Sequence, residues 1–197
     1  MPRAPACVLF SGLVGLALAQ GLSPAIAHET EPFHLGVQTH FVQGWRLEFM
    51  ELLPELGAIS LRDELSWRSI EATPGHYDFS GSRAEYLRRA VEMGLDPLLL
   101  FTDTNPLYDG GQTPWSDTGL SAFAAYVAAT LDAFAPGLQR IEIGNEFNSG
   151  DFVSGPFTEN RPRHFAAMLR AASKAVRDRH PETQILCTGT HSVAVGF

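Results

Sequence analysis

Two patterns of hydrophobic and polar positions, one typical of strands and one of helices, alternate along this chain. Short apolar or alternating runs of strand length occupy residues 33–41, 58–64, 97–101, 140–147 and 184–190. Apolar residues recur at helical spacing between these runs, in residues 45–56, 82–94, 120–134 and 162–176. The pattern therefore predicts four strand–helix units followed by a fifth strand.

Repeated strand–helix units predict a parallel sheet with helices packed outside it. A doubly wound sheet is the competing architecture, but no glycine-rich phosphate loop follows the first strand. Polar and aromatic residues follow the strands instead, which favours a TIM (β/α)8 barrel. Such a barrel typically has about 250 residues and eight strands. The predicted fold class is thus α/β, a partial barrel of strands 1–5 with four intervening helices.

Three local patterns make finer structural predictions. The first helix is expected to bury one apolar stripe, formed by Trp45, Phe49, Leu52, Leu53 and Leu56. Ser82 and Glu85 have the spacing of a capping box, which predicts that they cap the second helix. Cys187 is expected to be a small core residue of the fifth strand rather than a nucleophile.

Residues 1–27 have the layout of a secretory signal peptide. Arg3 is followed by an apolar run, and Ala25 and Ala27 form a small-residue cleavage site before His28. An uncleaved anchor is the alternative, but the run is short for a membrane span of about 20 residues. We therefore expect a secreted or periplasmic domain over residues 28–197, with no membrane contact after cleavage.

Composition narrows the choice of partner. The chain is 45% hydrophobic and 18% charged, with a formal net charge of −8. This acidity argues against nucleic acid or an anionic membrane surface as a partner, and it is compatible with a neutral sugar. No spacing of histidine and acidic residues suggests a metal site, and we expect no cofactor.

The fourth strand ends in an amide and a carboxylate, Asn145 and Glu146. Strict alternation places Glu146 on the same face as Gly144 and Glu142. In α/β barrels the carboxyl ends of the strands carry the chemistry. A solvated carboxylate beside a turn asparagine is the structural alternative.

Two segments together resemble the retaining glycoside hydrolases of the barrel clan that includes families 39 and 5. Residues 62–79 contain the pattern R-x4-W-x2-I-E-x3-G-x-Y-D-F, which is similar to the signature of the second strand in that clan. Residues 143–146, with the sequence I-G-N-E, are similar to its acid/base motif on the fourth strand. The order and the strands both match, and a family 39-like member is favoured over family 5.

The resemblance implies roles for three residues. Glu146 would be the general acid/base, and Asn145 would hydrogen-bond the 2-hydroxyl of the sugar. Arg62 would orient the nucleophilic carboxylate at the barrel mouth. A structural ion pair of Arg62 with Asp63 or Glu64 is the alternative.

Further candidates for substrate binding lie in the loops that follow the strands. Polar candidates are Gln38, His40, Asp103, Asn105 and, more weakly, His191. Aromatic candidates for stacking on a sugar ring are Trp115, Tyr108, Phe152 and Phe157. Each polar group has the alternative of a satisfied loop position, and the aromatic residues have that of a small cluster under long loops.

The chain departs from the resemblance in one respect. A retaining hydrolase needs a second carboxylate about 5 to 5.5 Å from the first, and in this clan it follows the seventh strand. The predicted elements end at the fifth strand, so we expect a truncated hydrolase of poly- or oligosaccharides that is inactive as given. A non-catalytic carbohydrate-binding or vestigial partial barrel is the alternative. Open barrel edges also predict self-association.

Overall fold

The computed structural model describes residues 33–102, 104–156 and 158–192. Residues 1–27, Asp103 and Phe157 carry predictions from the sequence and lie outside these ranges. The described residues form one parallel sheet in the order β1-β2-β3-β4-β5. The strands are β1 Leu35–Gln38, β2 Ala58–Glu64, β3 Asp96–Phe101, β4 Arg140–Ile143 and β5 Gln184–Cys187.

Every connection between neighbouring strands contains helix. The α-helices are α1 Leu52–Glu55, α2 Trp67–Ile70, α3 Glu85–Glu92, α4 Asp117–Phe134 and α5 Arg161–Arg179. Short 3₁₀ segments occupy Phe41–Gln43, Leu47–Glu51, Ser82–Ala84, Asp109–Gly111 and Thr158–Asn160. Sequential parallel strands with intervening helices confirm the prediction of a partial (β/α)8 barrel.

The core lies between the sheet and the helices outside it. Leu61, Leu99 and Ile141 come from three neighbouring strands, and each is at most 2% exposed. Leu131 of α4 and Met168 of α5 are fully buried in the same core. The predicted apolar faces of these two helices are thus confirmed, because each long helix buries one stripe against the sheet.

Aromatic packing closes the core near the carboxyl end of β2. Trp67 is fully buried and stacks on Tyr126 of α4, with ring centroids 5.5 Å apart. Tyr126 donates its hydroxyl hydrogen bond to the Leu65 carbonyl at 2.7 Å, so the buried phenol is satisfied. Trp67 is therefore a packing residue.

The opposite face of the sheet is polar and open. Gln38 on β1 and Gln184 on β5 are exposed, and Arg62 and Arg140 are half-buried. A cavity of about 240 Å³ lies on this face beside Arg62 and Leu98. The side chains that would fill the inside of a closed barrel therefore remain accessible.

The prediction for the first helix is wrong in its buried face. The segment begins as 3₁₀ helix and continues only briefly as α1, and Met50 and Leu53 are its buried residues. The remaining residues of the predicted stripe are exposed by 41% to 64%: Trp45, Phe49, Leu52 and Leu56. Of these four residues only Phe49 lies in the 3₁₀ helix, whose three residues per turn present other side chains to the sheet than 3.6 would. Trp45 precedes that helix, Leu52 begins α1 and Leu56 follows α1.

The capping box predicted before α3 is also absent. Ser82 lies inside the 3₁₀ turn that precedes this helix, and no side chain caps either end of that turn. Gly81 occupies the position before the turn. The preceding 3₁₀ turn satisfies the first helical amides locally, which leaves Ser82 and Glu85 on the surface.

The prediction that Cys187 is a core residue is wrong. Cys187 is exposed at the end of β5, and the neighbouring Leu186 is 36% exposed. Within the described residues β5 pairs only with β4, so one of its edges and part of its faces are uncovered.

None of the helices in the described ranges is long and apolar enough to cross a membrane.

We expect Leu131→Ala to lower the free energy of unfolding by about 2–5 kcal/mol, because it leaves a cavity in a fully buried position of α4. Urea unfolding followed by circular dichroism measures the change. Leu56→Ala is the control, since Leu56 is 64% exposed, and it should change the free energy by less than about 0.5 kcal/mol. Equal effects of the two substitutions would contradict the described core.

Candidate active site

Arg62 and Glu142 form an ion pair on the open face of the sheet. Arg62 donates from Nε to Glu142 Oε2 at 2.7 Å and from Nη2 to Oε1 at 3.0 Å. Glu142 is only 6% exposed. Arg62 lies on β2 and Glu142 on β4, so the pair spans the inner face of β3. The ion pair proposed from the sequence therefore exists, but its carboxylate is Glu142 rather than Asp63 or Glu64.

The same guanidinium joins its own strand, β2, to polar groups of β1 and of the end of β4. Its Nη1 donates to Gln38 Oε1 at 2.6 Å, and its Nη2 reaches Asn145 Oδ1 at 3.4 Å. Glu142 Oε1 also accepts from the Gly189 amide at 3.3 Å, which attaches the segment after β5. We call Gln38, Arg62, Glu142 and Asn145, with Glu146, the Arg62 cluster.

Three carboxylates raise the pKa of Arg62. The pKa of Arg62 is raised, chiefly by the hydrogen bond from Arg62 to Glu142, while burial opposes the shift. The negative charges of Glu142, Glu64 and Glu146 raise the pKa further. The charge of Glu146 is thus among those that raise the pKa of Arg62.

The backbone reaches Glu146 by a route that alternation does not describe. β4 ends at Ile143, and both Gly144 and Glu146 have left-handed φ values, of 82° and 43°. A Cβ on Gly144 would meet the Phe147 ring at 2.9 Å, so this position requires glycine. A non-glycine residue with positive φ is uncommon and is often found at functional sites. Glu146 is half-buried in this turn, which the Ser149 amide closes by donating to the Glu146 carbonyl at 2.7 Å.

Asp63 fixes the loop that follows β1. Its side chain is 1% exposed and accepts from Thr39 Oγ1 at 2.8 Å and from the Phe41 amide at 2.7 Å. The loop carries His40, whose ring lies edge-on to Trp45 with centroids 5.4 Å apart. His40 thus lies two residues beyond Gln38 of the Arg62 cluster.

Glu71 organises the loops after β2 and β3 from inside the protein. It is 1% exposed, and its carboxylate accepts from Trp67 Nε1 at 2.5 Å, the Gly75 amide at 2.6 Å and Tyr108 Oη at 2.6 Å. Its carbonyl accepts from Asn105 Nδ2 at 2.8 Å. Glu71 therefore joins the two loops through buried and partly buried hydrogen bonds.

The other sequence candidates take different positions. Asn105 is 2% exposed, and its Oδ1 accepts from the Leu107 amide, so it is a satisfied loop residue rather than part of the Arg62 cluster. Tyr108 stacks on Trp67 with centroids 5.4 Å apart, which favours the cluster under loops over sugar stacking. Trp115 is 37% exposed and lines a small cavity with Arg163 and residues of the first turns of α5.

The loop after β4 is held in place by its neighbours. Asn148 donates to the His191 carbonyl at 2.9 Å and accepts from the His191 amide at 2.7 Å. Ser154 and Thr113 exchange hydrogen bonds between the loops after β4 and β3, the shortest at 2.9 Å. The turn that carries Glu146 is thus supported on both sides.

Sequence reasoning missed the roles of Glu142 and Glu71. A carboxylate in the middle of a short buried strand was the signal for Glu142, because such a charge needs a partner on the inner face. For Glu71 the signal was its place in the second-strand motif between Trp67 and Gly75.

No family model matches this chain, and no curated protein matches it. Solved structures do match. A family 39 glycoside hydrolase from the gut symbiont Bacteroides cellulosilyticus WH2 is 16% identical, with a TM-score of 0.62 over 78% of this chain and 31% of that one. The exo-β-1,4-mannosidase Op5Man5 from Opitutaceae bacterium strain TAV5 is 23% identical, with a TM-score of 0.59 and coverage of 78% and 31%. The β-glycosidase BGL167 is 18% identical, with a TM-score of 0.58 and coverage of 78% and 54%.

The described chain therefore has the barrel fold of glycoside hydrolases, as the resemblance predicted, and spans 31% to 54% of the length of these three structures.

We expect the Arg62–Glu142 pair to show a coupling energy in a double-mutant cycle of Arg62→Met and Glu142→Gln. Each single substitution leaves a partly buried partner without its hydrogen bonds, which typically lowers the free energy of unfolding by about 1–3 kcal/mol. The double variant should lose less than the sum, by about 0.5–3 kcal/mol. Additive losses in urea unfolding would contradict a direct interaction.

We also expect alkaline pH to weaken folding through Tyr77. Burial, together with the charge of Glu71, raises the pKa of Tyr77 to about 12. The unfolded value is about 10, so between pH 10 and 12 the folded state holds a proton that the unfolded chain has lost. The free energy of unfolding should therefore fall as pH rises through this window. Tyr77→Phe should make this fall smaller, because the variant lacks the one proton that Tyr77 binds in the folded state. An unchanged pH dependence in the variant would contradict this environment for Tyr77.

Proposed function

We propose that this chain supplies the acid/base side of the active site of a retaining glycoside hydrolase that acts on poly- or oligosaccharides. The observation that carries the proposal is the position of Asn145 and Glu146 after β4, where Asn145 Oδ1 accepts from Arg62 and the charge of Glu146 raises the pKa of Arg62. The glycosidase-like fold supports the proposal, since the carboxyl ends of barrel strands carry catalytic residues.

Glu146 would act as the general acid and then as the general base. A half-buried carboxylate in a fixed turn is able to donate a proton to the glycosidic oxygen and later accept one from water. Its unusual backbone conformation presents it beyond the end of β4 rather than along the sheet. The effect of its charge on Arg62 supports a proton transfer beside the cluster that would hold the sugar.

Asn145 would bind the sugar at its 2-hydroxyl. Arg62 engages the amide oxygen of Asn145, and this orients the amide nitrogen as the group left to donate to a ligand. A hydrogen bond to the 2-hydroxyl strengthens in the transition state of glycoside hydrolysis. The arrangement thus supports the role that the sequence resemblance implies.

Arg62 would orient the nucleophilic carboxylate, which the proposal assigns to a later strand of a complete barrel. Among the described residues Glu142 is a poor nucleophile, because both of its oxygens accept hydrogen bonds from Arg62 or Gly189. Its function would be to hold the guanidinium in place. Retention requires the second carboxylate about 5 to 5.5 Å from Glu146, on the opposite side of the sugar ring.

A non-catalytic carbohydrate-binding protein is the second candidate. The pairing of Arg62 with Glu142 favours it, because the guanidinium is already neutralised without a nucleophile. In this case Asn145 and Glu146 would still provide hydrogen bonds to a sugar, and no bond would be cleaved.

The proposal places the protein in the secreted or periplasmic space. The predicted signal peptide of residues 1–27 supports this location, and so does a polysaccharide substrate, which is found outside the cytoplasm. Self-association through the open edges of the sheet is a further part of the proposal. Phe33, Ile59 and Leu186 support it, since these apolar side chains at or beside the edge strands are exposed by 36% to 89%.

We expect Glu146→Gln, in a barrel completed by its remaining strands, to lower kcat/KM on natural glycosides by about 10²–10⁴-fold, because the amide keeps the shape and loses the proton. Aryl glycosides with good leaving groups should be less affected, since their departure needs little protonation. Steady-state hydrolysis of both substrate classes is the measurement.

Glu182→Gln is the matched control, since Glu182 is an exposed carboxylate at the opposite end of the sheet, before β5. It should leave kcat/KM unchanged. Full activity of Glu146→Gln on a natural glycoside would refute the acid/base role. Sugar binding without turnover by the unsubstituted barrel would favour the non-catalytic candidate.

A further inference from the structure

A groove beside the first strand carries an aromatic surface that the Arg62 cluster does not use. It has a volume of about 390 Å³, within the range of about 300–1,000 Å³ typical of small-molecule sites. We call it the Trp45 groove, and it is lined by Phe41, Trp45, Leu47, Ser82, Glu85 and Tyr86. Sequence periodicity assigned Trp45 to the core, yet its side chain is 45% exposed.

The groove has an ordered aromatic floor. Phe41 and Tyr86 are at most 8% exposed, and their rings stack with centroids 5.7 Å apart and planes inclined by 15°. The Trp45 ring stands against Phe41 at 6.0 Å with an interplanar angle of 77°. The Trp45 ring therefore forms one side of the groove, and the stacked rings of Phe41 and Tyr86 form its floor.

The rim of the groove is polar and its two sides are connected. Arg83 Nη1 donates to the Val42 carbonyl at 3.2 Å, which joins the 3₁₀ turn before α3 to the loop after β1. Ser82 and Glu85 do not cap the helix, so their hydroxyl and carboxylate remain at the rim. An aromatic wall with hydrogen-bonding groups around it fits a sugar ring, which has an apolar C–H face and hydroxyls at its edge.

The loop after β1 connects the Trp45 groove to the candidate active site. The His40 ring contacts Trp45 edge-on at 5.4 Å, and Gln38, two residues earlier, accepts from Arg62. The walls belong to the first and second strand–helix units, which are both present among the described residues. Closure of the barrel at the free edge of β1 would therefore leave the groove between these units.

We propose that the Trp45 groove binds a second sugar unit of a neutral oligosaccharide whose neighbouring unit lies at the Arg62 cluster. The proposal rests on the function proposed above and makes the substrate an oligosaccharide rather than a monosaccharide. A neutral sugar fits the groove, because Arg83 and Glu85 line it with one charge of each sign, and the chain has a formal net charge of −8. Trp45 would supply the stacking surface.

The test is a titration of the protein with neutral cello-, manno- and xylo-oligosaccharides, from monosaccharides to hexasaccharides. The indole N–H signals of the three tryptophans report the contact by NMR, each assigned by substitution with phenylalanine. We expect an oligosaccharide to shift the Trp45 signal and to leave that of buried Trp67 unchanged. Trp45→Ala should weaken oligosaccharide binding by about tenfold, from lost apolar burial, and leave monosaccharide binding unchanged.

Matched variants separate stacking from a general loss of structure. Trp45→Phe should retain most of the affinity, since it keeps an aromatic face. Phe49→Ala is the control, because Phe49 is 41% exposed in the 3₁₀ segment that follows Trp45 and does not line the groove. Equal affinity of Trp45→Ala and the unsubstituted protein would overturn the proposal, and so would equal losses in Trp45→Ala and Phe49→Ala.

The outcomes also distinguish this inference from the proposed function. Oligosaccharide binding that depends on Arg62 but not on Trp45 would overturn the groove and leave the active site standing. Binding that depends on Trp45, combined with full turnover by Glu146→Gln, would support the groove and refute the acid/base role. No binding by any sugar, or a Trp45 signal that shifts with protein concentration instead, would overturn the groove as a sugar site.

Discussion

The two hydrogen bonds between Arg62 and Glu142 are the interaction on which the candidate site depends. They cross the inner face of β3 and hold the cation at a fixed height above the sheet. Paired charge-assisted hydrogen bonds fix the orientation of a guanidinium as well as stabilising it. The remaining N–H groups of Arg62 therefore point in defined directions and donate to Gln38 and Asn145. Loss of Glu142 would free Arg62 to turn toward Glu64 or Glu146, which both act on its charge.

Sequence periodicity predicted the elements that are buried along their whole length. β2 begins and ends where the alternation of its residues predicted, and α4 and α5 follow their apolar stripes. The first helix could not be predicted in the same way, because Leu47–Glu51 forms 3₁₀ helix, and Trp45 lies before that helix and is exposed. Apolar residues spaced at 3.6 per turn do not show whether the folded segment will be α-helix or 3₁₀ helix.

The candidate site was likewise predicted from the sequence only in part. The sequence placed Asn145 and Glu146 after the fourth strand. In the structure Asn145 accepts a hydrogen bond from Arg62, and the charge of Glu146 raises the pKa of Arg62. The left-handed conformations of Gly144 and Glu146 were beyond prediction, since they arise from the packing of Phe147 against the turn. The hydrogen bonds of Glu71 likewise join residues from two loops, and sequence spacing alone does not show which loops will meet.

The central claim is that Glu146 is the acid/base group beside the Arg62 cluster. Azide rescue of Glu146→Ala tests it most directly, in a completed barrel with an activated aryl glycoside. Removal of the carboxylate opens space on the face from which water attacks the glycosyl–enzyme intermediate, and azide needs no general base. The account predicts faster turnover with azide and a glycosyl azide of retained configuration. A product of inverted configuration would identify Glu146 as the nucleophile, and turnover unchanged by either the substitution or azide would remove it from the chemistry.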